Sequence, residues 1–478
     1  MRRIALLVVA TLAAAITTIG VCAGAGAQTG TPSRLPLAVV LHVTADPILK
    51  LDGRPEGPVR ERLVDLAEGL DSWQEPDAGF PISLAVSPVL CDELELLATE
   101  EANRVLTSLR SLARRADVLS APYAEVNLPY LVRDEEVRTE IERGRLKLRD
   151  CLAKRPIDVL MPPGFDLDDQ AVDVARSLGI DTSLSNRAGA PVRSEATDTH
   201  GAITLVPHTD AASAVGGPLQ GALVVPADDP SWASRIATAA SAEEVEVVDL
   251  EQLTEGALRV FVDFPDPEAP NDEARRAVVR ARRSVEAFEN FTLTGNPLRK
   301  RFRASYAHAL ASASLAWSDE QERSDDDIDD ASARESDAVA EAVRGEAAKV
   351  TTLSGSFLFS ARQGRVPITV TNKASYPVRV RINVSSPKVD FPDGTSRVVT
   401  VEPPGNSQVE FAAITRSTGT FPILVSLTSP DRSIAFDTAE LSVRSTAINI
   451  SALVLTVGGA FFLIAWIVRR RGRKRAAA

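Results

Sequence analysis

Apolar residues follow two different rhythms along this chain. From Leu35 to about Phe264 they come as short continuous runs: Leu37–Leu41, Ile82–Val86, Val118–Leu119, Val159–Met161, Ile203–Val206, Leu223–Val225, Val245–Val248 and Val260–Val262. Continuous β-branched runs predict strands buried on both faces. Prolines 88, 122, 162, 207 and 226 follow the runs closely, and proline stops a strand because it cannot donate to the ladder. Between the runs lie helical patterns. In 166–179, Leu167, Val172, Val174 and Leu178 form an apolar stripe, Asp166 can cap the start and Gly179 can end the helix. Alternating strands and helices predict a parallel α/β sheet, and about seven or eight repeats predict closure into an irregular β/α barrel over 35–265. An open doubly wound sheet is the alternative.

The rhythm then changes. Residues 270–349 are rich in Ala, Arg and Glu, with Phe288, Phe291, Phe302, Tyr306, Leu310 and Trp317 at helical spacing, which predicts a helical subdomain. Ser324–Asp330 reads as a solvated acidic loop within it. Over 351–446 the pattern alternates strictly, as in Val366, Ile368, Val370 and Val378, Val380, Ile382, Val384. About seven short strands with turns between them predict an immunoglobulin-like β sandwich.

Both ends look like targeting segments. Residues 1–27 have a positive start, an apolar stretch and Ala25-Gly26-Ala27, as a signal peptide does. Residues 448–468 carry no charge and predict one transmembrane helix, and the basic tail 469–478 predicts a cytoplasmic end. The expected fold class is therefore multidomain: α/β barrel, helical subdomain, all-β sandwich and one C-terminal transmembrane helix. The expected location is the cell membrane, single-pass, with the large N-terminal part outside.

The chain carries 65 acidic against 53 basic residues, a net charge of −12, and eight of the cations lie in the two terminal segments. So acidic a remainder repels nucleic acid and argues against a nucleic-acid role. Beyond Cys22, Cys91 and Cys151 remain, which in an oxidising compartment either bridge or stay as buried thiols. No glycine-rich phosphate loop follows any strand, and no cofactor is expected.

The phrases Leu84-Ala-Val-Ser-Pro-Val-Leu90, Ala121-Pro-Tyr-Ala-Glu-Val-Asn127 and Met161-Pro-Pro-Gly164 resemble the glycoside hydrolase/deacetylase superfamily. That resemblance implies an irregular (β/α)7 barrel. The second half, through Gly364–Asn372, Tyr376–Val380, Thr420–Ile423, Ser429–Asp431 and Val443–Thr446, resembles an uncharacterised actinobacterial family of membrane-anchored secreted proteins, which implies a cell-envelope role.

A parallel barrel works at the C-terminal ends of its strands. The binding candidates there are His42, Tyr123, Asn127, His208 and Asp210; Asp46, Glu125 and Asp263 are the candidate acids. Where related hydrolases carry a glutamate nucleophile the chain has Pro163-Gly164, and histidines 42, 200, 208 and 308 lack the spacing of a metal deacetylase. The expectation is a non-catalytic barrel that binds cell-wall glycan or envelope proteins, among them peptidoglycan-assembly membrane proteins. A glycan-processing hydrolase with displaced acids is the alternative.

Overall fold

The computed structural model describes residues 34–44, 48–74, 79–185, 192–194, 203–210, 221–242, 244–255, 257–260, 273–320, 326–359, 363–416, 419–445 and 450–475. Its first half is built on strands β1 (Leu35–Val43), β2 (Ser83–Val86), β3 (Asp117–Val118), β4 (Val159–Leu160), β5 (Thr182–Ser185), β6 (Val192–Ser194), β7 (Thr204–Asp210), β8 (Gly221–Pro226), β9 (Val245–Val248) and β10 (Leu258–Val260). Between them run helices α1 (Val59–Ser72), α2 (Pro88–Leu97), α3 (Glu100–Ala113), α4 (Asp134–Leu152), α5 (Asp169–Ser177), α6 (Ser231–Ser241) and α7 (Leu250–Thr254).

Pairing is parallel from β2 through β1 to β8, and from β8 through β7 and β5 to β4. β3 adds to β2 in parallel and meets β4 through a bridge between Ser120 and Leu160. There the Ser120 N–H donates to the Val159 carbonyl at 2.8 Å and the Met161 N–H to the Ser120 carbonyl at 2.9 Å. Other strands lie off this path. β9 takes the N-terminal half of the β1 edge whose C-terminal half is paired with β2, and β6 joins β7 antiparallel.

Side-chain alternation divides the buried residues. Ala38, Val40, Ala85, Leu119, Met161, Leu184, Val206, Ala222 and Val224 form one cluster inside the strands, with Leu250 and Leu253 of α7 against it. Leu37, Val39, Leu41 and Val43 point the other way, into the core shared with the surrounding helices. The structure departs from the expected rule at Pro207. β7 runs through this proline to Asp210, pairing with β5 up to Pro207 and with β8 from His208 onward, so the proline marks a change of partner and not a stop. The cap of α5 is also displaced: Asp168, not Asp166, accepts the Ala171 N–H at 2.7 Å.

Three helices follow, α8 (Glu273–Phe291), α9 (Pro297–Glu320) and α10 (Asp326–Ala347). Phe288 stacks edge-on against Phe291 and Phe302 at centroid distances of 5.0 and 4.8 Å. Asp326–Asp330, expected in a loop, fall within the first turns of α10. Residues 324 and 325 lie outside the described residues.

The last described β region holds two sheets. One is β11 (Val350–Thr352), β13 (Gln363–Asn372), β17 (Gly405–Thr415) and β15 (Val389–Asp390), in that order. The other is β12 (Gly355–Phe359), β19 (Ala435–Ser445), β18 (Gly419–Thr428), β14 (Val378–Ser385) and β16 (Ser396–Val401). The alternating residues Val366, Ile368, Val370, Val380, Ile382 and Val384 are buried. The expected seven strands are thus corrected to nine among the described residues, and β12 runs parallel to β19. Phe291 meets Phe436 at 5.0 Å, and the Tyr376 hydroxyl donates to Glu346 at 2.8 Å, so the helices seat directly on these sheets.

The expected fold class is corrected at its C-terminal end, and the expected membrane location with it. Among the described residues no helix is long and apolar enough to cross a membrane. Helix α11 (Ile450–Arg475) exposes Val454, Leu455, Phe461, Phe462, Ile464 and Trp466, then turns basic from Arg469. The expected signal segment, 1–27, lies outside the described residues.

Candidate functional site

The strand ends carry the candidate site, and His42 is its centre. On β1, His42 stands opposite Ala85 of β2 and Pro226 of β8, with the same parity as the inward-facing Ala38 and Val40. The chain leaving the neighbouring strands is tied down beside it. The Ala227 N–H donates to the His42 carbonyl at 3.0 Å and the Ser87 N–H to the Val43 carbonyl at 2.9 Å. Helix α1 comes close because position 69 is glycine: a Cβ there would lie 2.2 Å from the Ala227 carbonyl oxygen and 2.8 Å from the Asp228 Cα.

Against this corner opens a cavity of about 300 Å³, at the small end of the usual range for ligand sites. His42, Arg62, Asp65 and Asp228 supply its polar lining, and Leu63 and Leu66 supply part of its apolar wall. Burial lowers the His42 pKa, and the negative charge of Glu125 works against that shift. A lowered pKa favours the neutral imidazole, which has one donor and one acceptor nitrogen.

Glu125 is held by its neighbours in the chain. The Tyr123 N–H donates to the Glu140 carbonyl at 2.8 Å, and the Ala124 N–H donates to Glu140 Oε2 at 3.1 Å, pinning 123–124 to α4. This segment fits because Gly144 faces it: a Cβ at 144 would lie 2.0 Å from the Ala121 carbonyl oxygen.

The other expected site residues go elsewhere. Tyr123 is 1% exposed, and its hydroxyl donates to Asp92 Oδ2 at 2.7 Å. It belongs to a buried seam in which Lys147 reaches Asp92 at 2.8 Å and Glu95 at 3.0 Å. Asn127 is also buried, and its N–H donates to Ser314 Oγ of α9 at 3.1 Å. His208 and Asp210 lie on β7, but their side chains are outside the described residues, as are Asp46 and Asp263 altogether. Of the eight expected residues, His42 and Glu125 are the two that the described structure brings into electrostatic contact. Cys91 and Cys151 are joined in a disulfide between α2 and α4. Among the described residues no group of three or more His, Cys, Asp or Glu could hold a metal ion.

Sequence reasoning missed Glu140 and the cleft it lines. This cleft, about 210 Å³, lies between α4 and helices α8 and α9, with Arg143, Arg282 and Tyr306 around it. Arg282 pairs with Glu136 at 2.5 Å. Burial pushes the Glu140 carboxyl up, against the pull of Arg143 and the Ala124 N–H. In sequence Glu140 sits in a helix that reads as a solvated charged face, and the mid-helix Gly144 is the one available signal of a buried side.

Against known proteins, the model of one family of unknown function, DUF6049, matches residues 231–478, just over half of the chain. The chain belongs to this family. The match carries neither the actinobacterial source nor the membrane anchor implied by the resemblance, and no curated protein matches the chain.

Among solved structures, the chain is similar to a putative polysaccharide deacetylase from Mycobacterium smegmatis, at 14% identity and a TM-score of 0.34. That alignment covers 50% of this chain and 98% of the other. It is also similar to a GH57 branching enzyme from Thermococcus kodakaraensis, at 12% identity and a TM-score of 0.42, covering 66% and 90%. A third is the α-amylase AmyC from Thermotoga maritima, at 10% identity and a TM-score of 0.43, covering 64% and 97%. Likenesses this distant carry no argument about function.

Proposed function

We propose that this protein binds glycan at the strand-end cavity beside His42 and does so without cleaving it. One observation carries the reading: a cavity of about 300 Å³ whose lining combines a histidine, an arginine and two carboxylates with aliphatic wall residues. Sugars ask for that combination, since their hydroxyls both donate and accept while their ring faces are apolar. His42 and Arg62 can donate to hydroxyl oxygens, and Asp65 and Asp228 can accept from hydroxyls. Such pockets join an apolar surface to a few placed polar groups.

Hydrolysis would ask for two carboxylates set across the scissile bond, so steady turnover is the outcome that separates it from binding. The expected pair was Glu125 or Asp46 with Asp263, and Asp46 and Asp263 lie outside the described residues. The test is retention on insoluble peptidoglycan and on chitohexaose resin, compared between the wild type and Asp228→Ala. Retention by the wild type, weakened at least tenfold by the substitution, supports the reading. No retention of either glycan sinks it, and steady release of soluble sugar would replace it with the hydrolase.

A further inference from the structure

The cavity wall between β1 and α1 is a loop with its own closure. The Glu56 N–H donates to the Ile48 carbonyl at 2.8 Å and the Lys50 N–H to the Arg54 carbonyl at 2.8 Å, which folds 48–56 back on itself. Ile48 of this loop lines the cavity, and so does Leu90 of α2. One turn beyond Leu90 stands Glu93, 1% exposed. A carboxylate is costly to bury, and hydrogen bonds or an opposite charge must offset that cost. Glu93 Oε1 accepts the Ile48 N–H at 3.3 Å and the Leu49 N–H at 3.2 Å, and His308 Nε2 of α9 lies 3.1 Å away. Its Oε2 is buried and has no hydrogen-bond partner among the described residues. Arg301 of α9 adds a second tie, donating to the Asp52 carbonyl at 3.2 Å.

We propose that Glu93 is the positioning residue of the cavity: it latches the 48–56 loop through the Ile48 and Leu49 amides and so fixes the opening that a sugar ring enters. The proposal rests on the glycan reading above. Glu93 never touches the ligand in this scheme. It acts through Ile48, and the helices after the barrel take part because His308 faces the same carboxylate oxygen.

The latch can be read without any ligand, by amide hydrogen exchange on the full chain. In the wild type the Ile48 and Leu49 amides exchange at least about 100-fold slower than free loop amides. Glu93→Met removes both oxygens at similar volume; it raises exchange at Ile48 and Leu49 by about tenfold, the scale of one or two lost hydrogen bonds. The same variant loses retention on chitohexaose resin. Glu93→Gln keeps an acceptor oxygen and restores both protection and retention.

Freely exchanging Ile48 and Leu49 amides in the wild type overturn the latch, whether or not Glu93→Met folds. Unchanged exchange in Glu93→Met overturns it as well. Faster exchange with full retention overturns the positioning role. Absent wild-type retention with both amides protected fells the glycan reading and leaves the latch standing.

Discussion

Replacing Gly144 by alanine pits helix propensity against packing at one position. In isolation the change favours the helix, because alanine is about 1 kcal/mol better than glycine in a helix interior. Here the added Cβ would meet backbone: 2.0 Å to the Ala121 carbonyl oxygen and 2.9 Å to both the Pro122 carbonyl carbon and the Tyr123 nitrogen. Ordinary contact begins near 3.4 Å, so segment 121–124 has to retreat by more than about 1 Å. Overpacking of this kind costs about 1–3 kcal/mol. Retreat also loosens the Tyr123 and Ala124 amide bonds to Glu140, each worth about 1 kcal/mol. After the propensity gain, Gly144→Ala is expected to destabilise by about 1–4 kcal/mol.

Guanidinium unfolding followed by tyrosine and tryptophan signals measures this. Gly345→Ala is the matched control, because it lies in helix α10 with no atom of the described residues within 4 Å of the added Cβ. The control should be neutral or stabilising by up to about 1 kcal/mol. A Gly144→Ala protein as stable as the wild type would refute the close-approach argument.

Reducing the disulfide, or Cys91→Ala with Cys151→Ala, opens a loop with a sequence separation of 60. It should cost about 4 kcal/mol on the chain-entropy account, measured by unfolding with and without reductant. Tyr123→Phe removes the bond to Asp92 and should cost about 1.5–3 kcal/mol, with glycan retention unchanged because the ring lies outside the cavity. Burial would raise the Glu95 carboxyl, but Lys300 and Lys147 outweigh it and bring it below its ordinary value. Its folded pKa is therefore below its unfolded one, so the stabilisation is complete above the unfolded value and is lost as pH falls through the folded value. Unfolding free energies between pH 6 and pH 3 should fall less steeply in Glu95→Gln than in the wild type, and parallel curves would remove Glu95 from the acid response.

Much of this architecture is legible in the hydrophobic pattern because burial writes it there. The continuous runs at Leu37–Leu41 and Leu223–Val225 mark strands covered on both faces, and the alternation at Val378–Val384 marks strands covered on one. Pattern does not report what a polar residue bonds to. Tyr123 and Asn127 follow a strand end and look like mouth residues, yet Tyr123 turns to Asp92 and Asn127 to Ser314 of a helix 187 residues away. Glu93 and Glu140 read as ordinary helix-surface acids, because the loop amides and helices that bury them come from distant sequence. His42 stands where pattern places it: a strand with one parity facing inward carries its last inward-facing residue near its C-terminal end. The unbroken apolar stretch near the C-terminus promised a membrane span that the described helices do not supply.

The central claim is that a sugar binds beside His42. The chain has four histidines, so their ring signals form a sparse spectrum. Titrating 15N-histidine-labelled protein with chitohexaose and following the imidazole nitrogens tests the claim most directly. The account predicts a saturable shift of the His42 signals, abolished by Asp228→Ala. Unmoved His42 signals at millimolar sugar would contradict it.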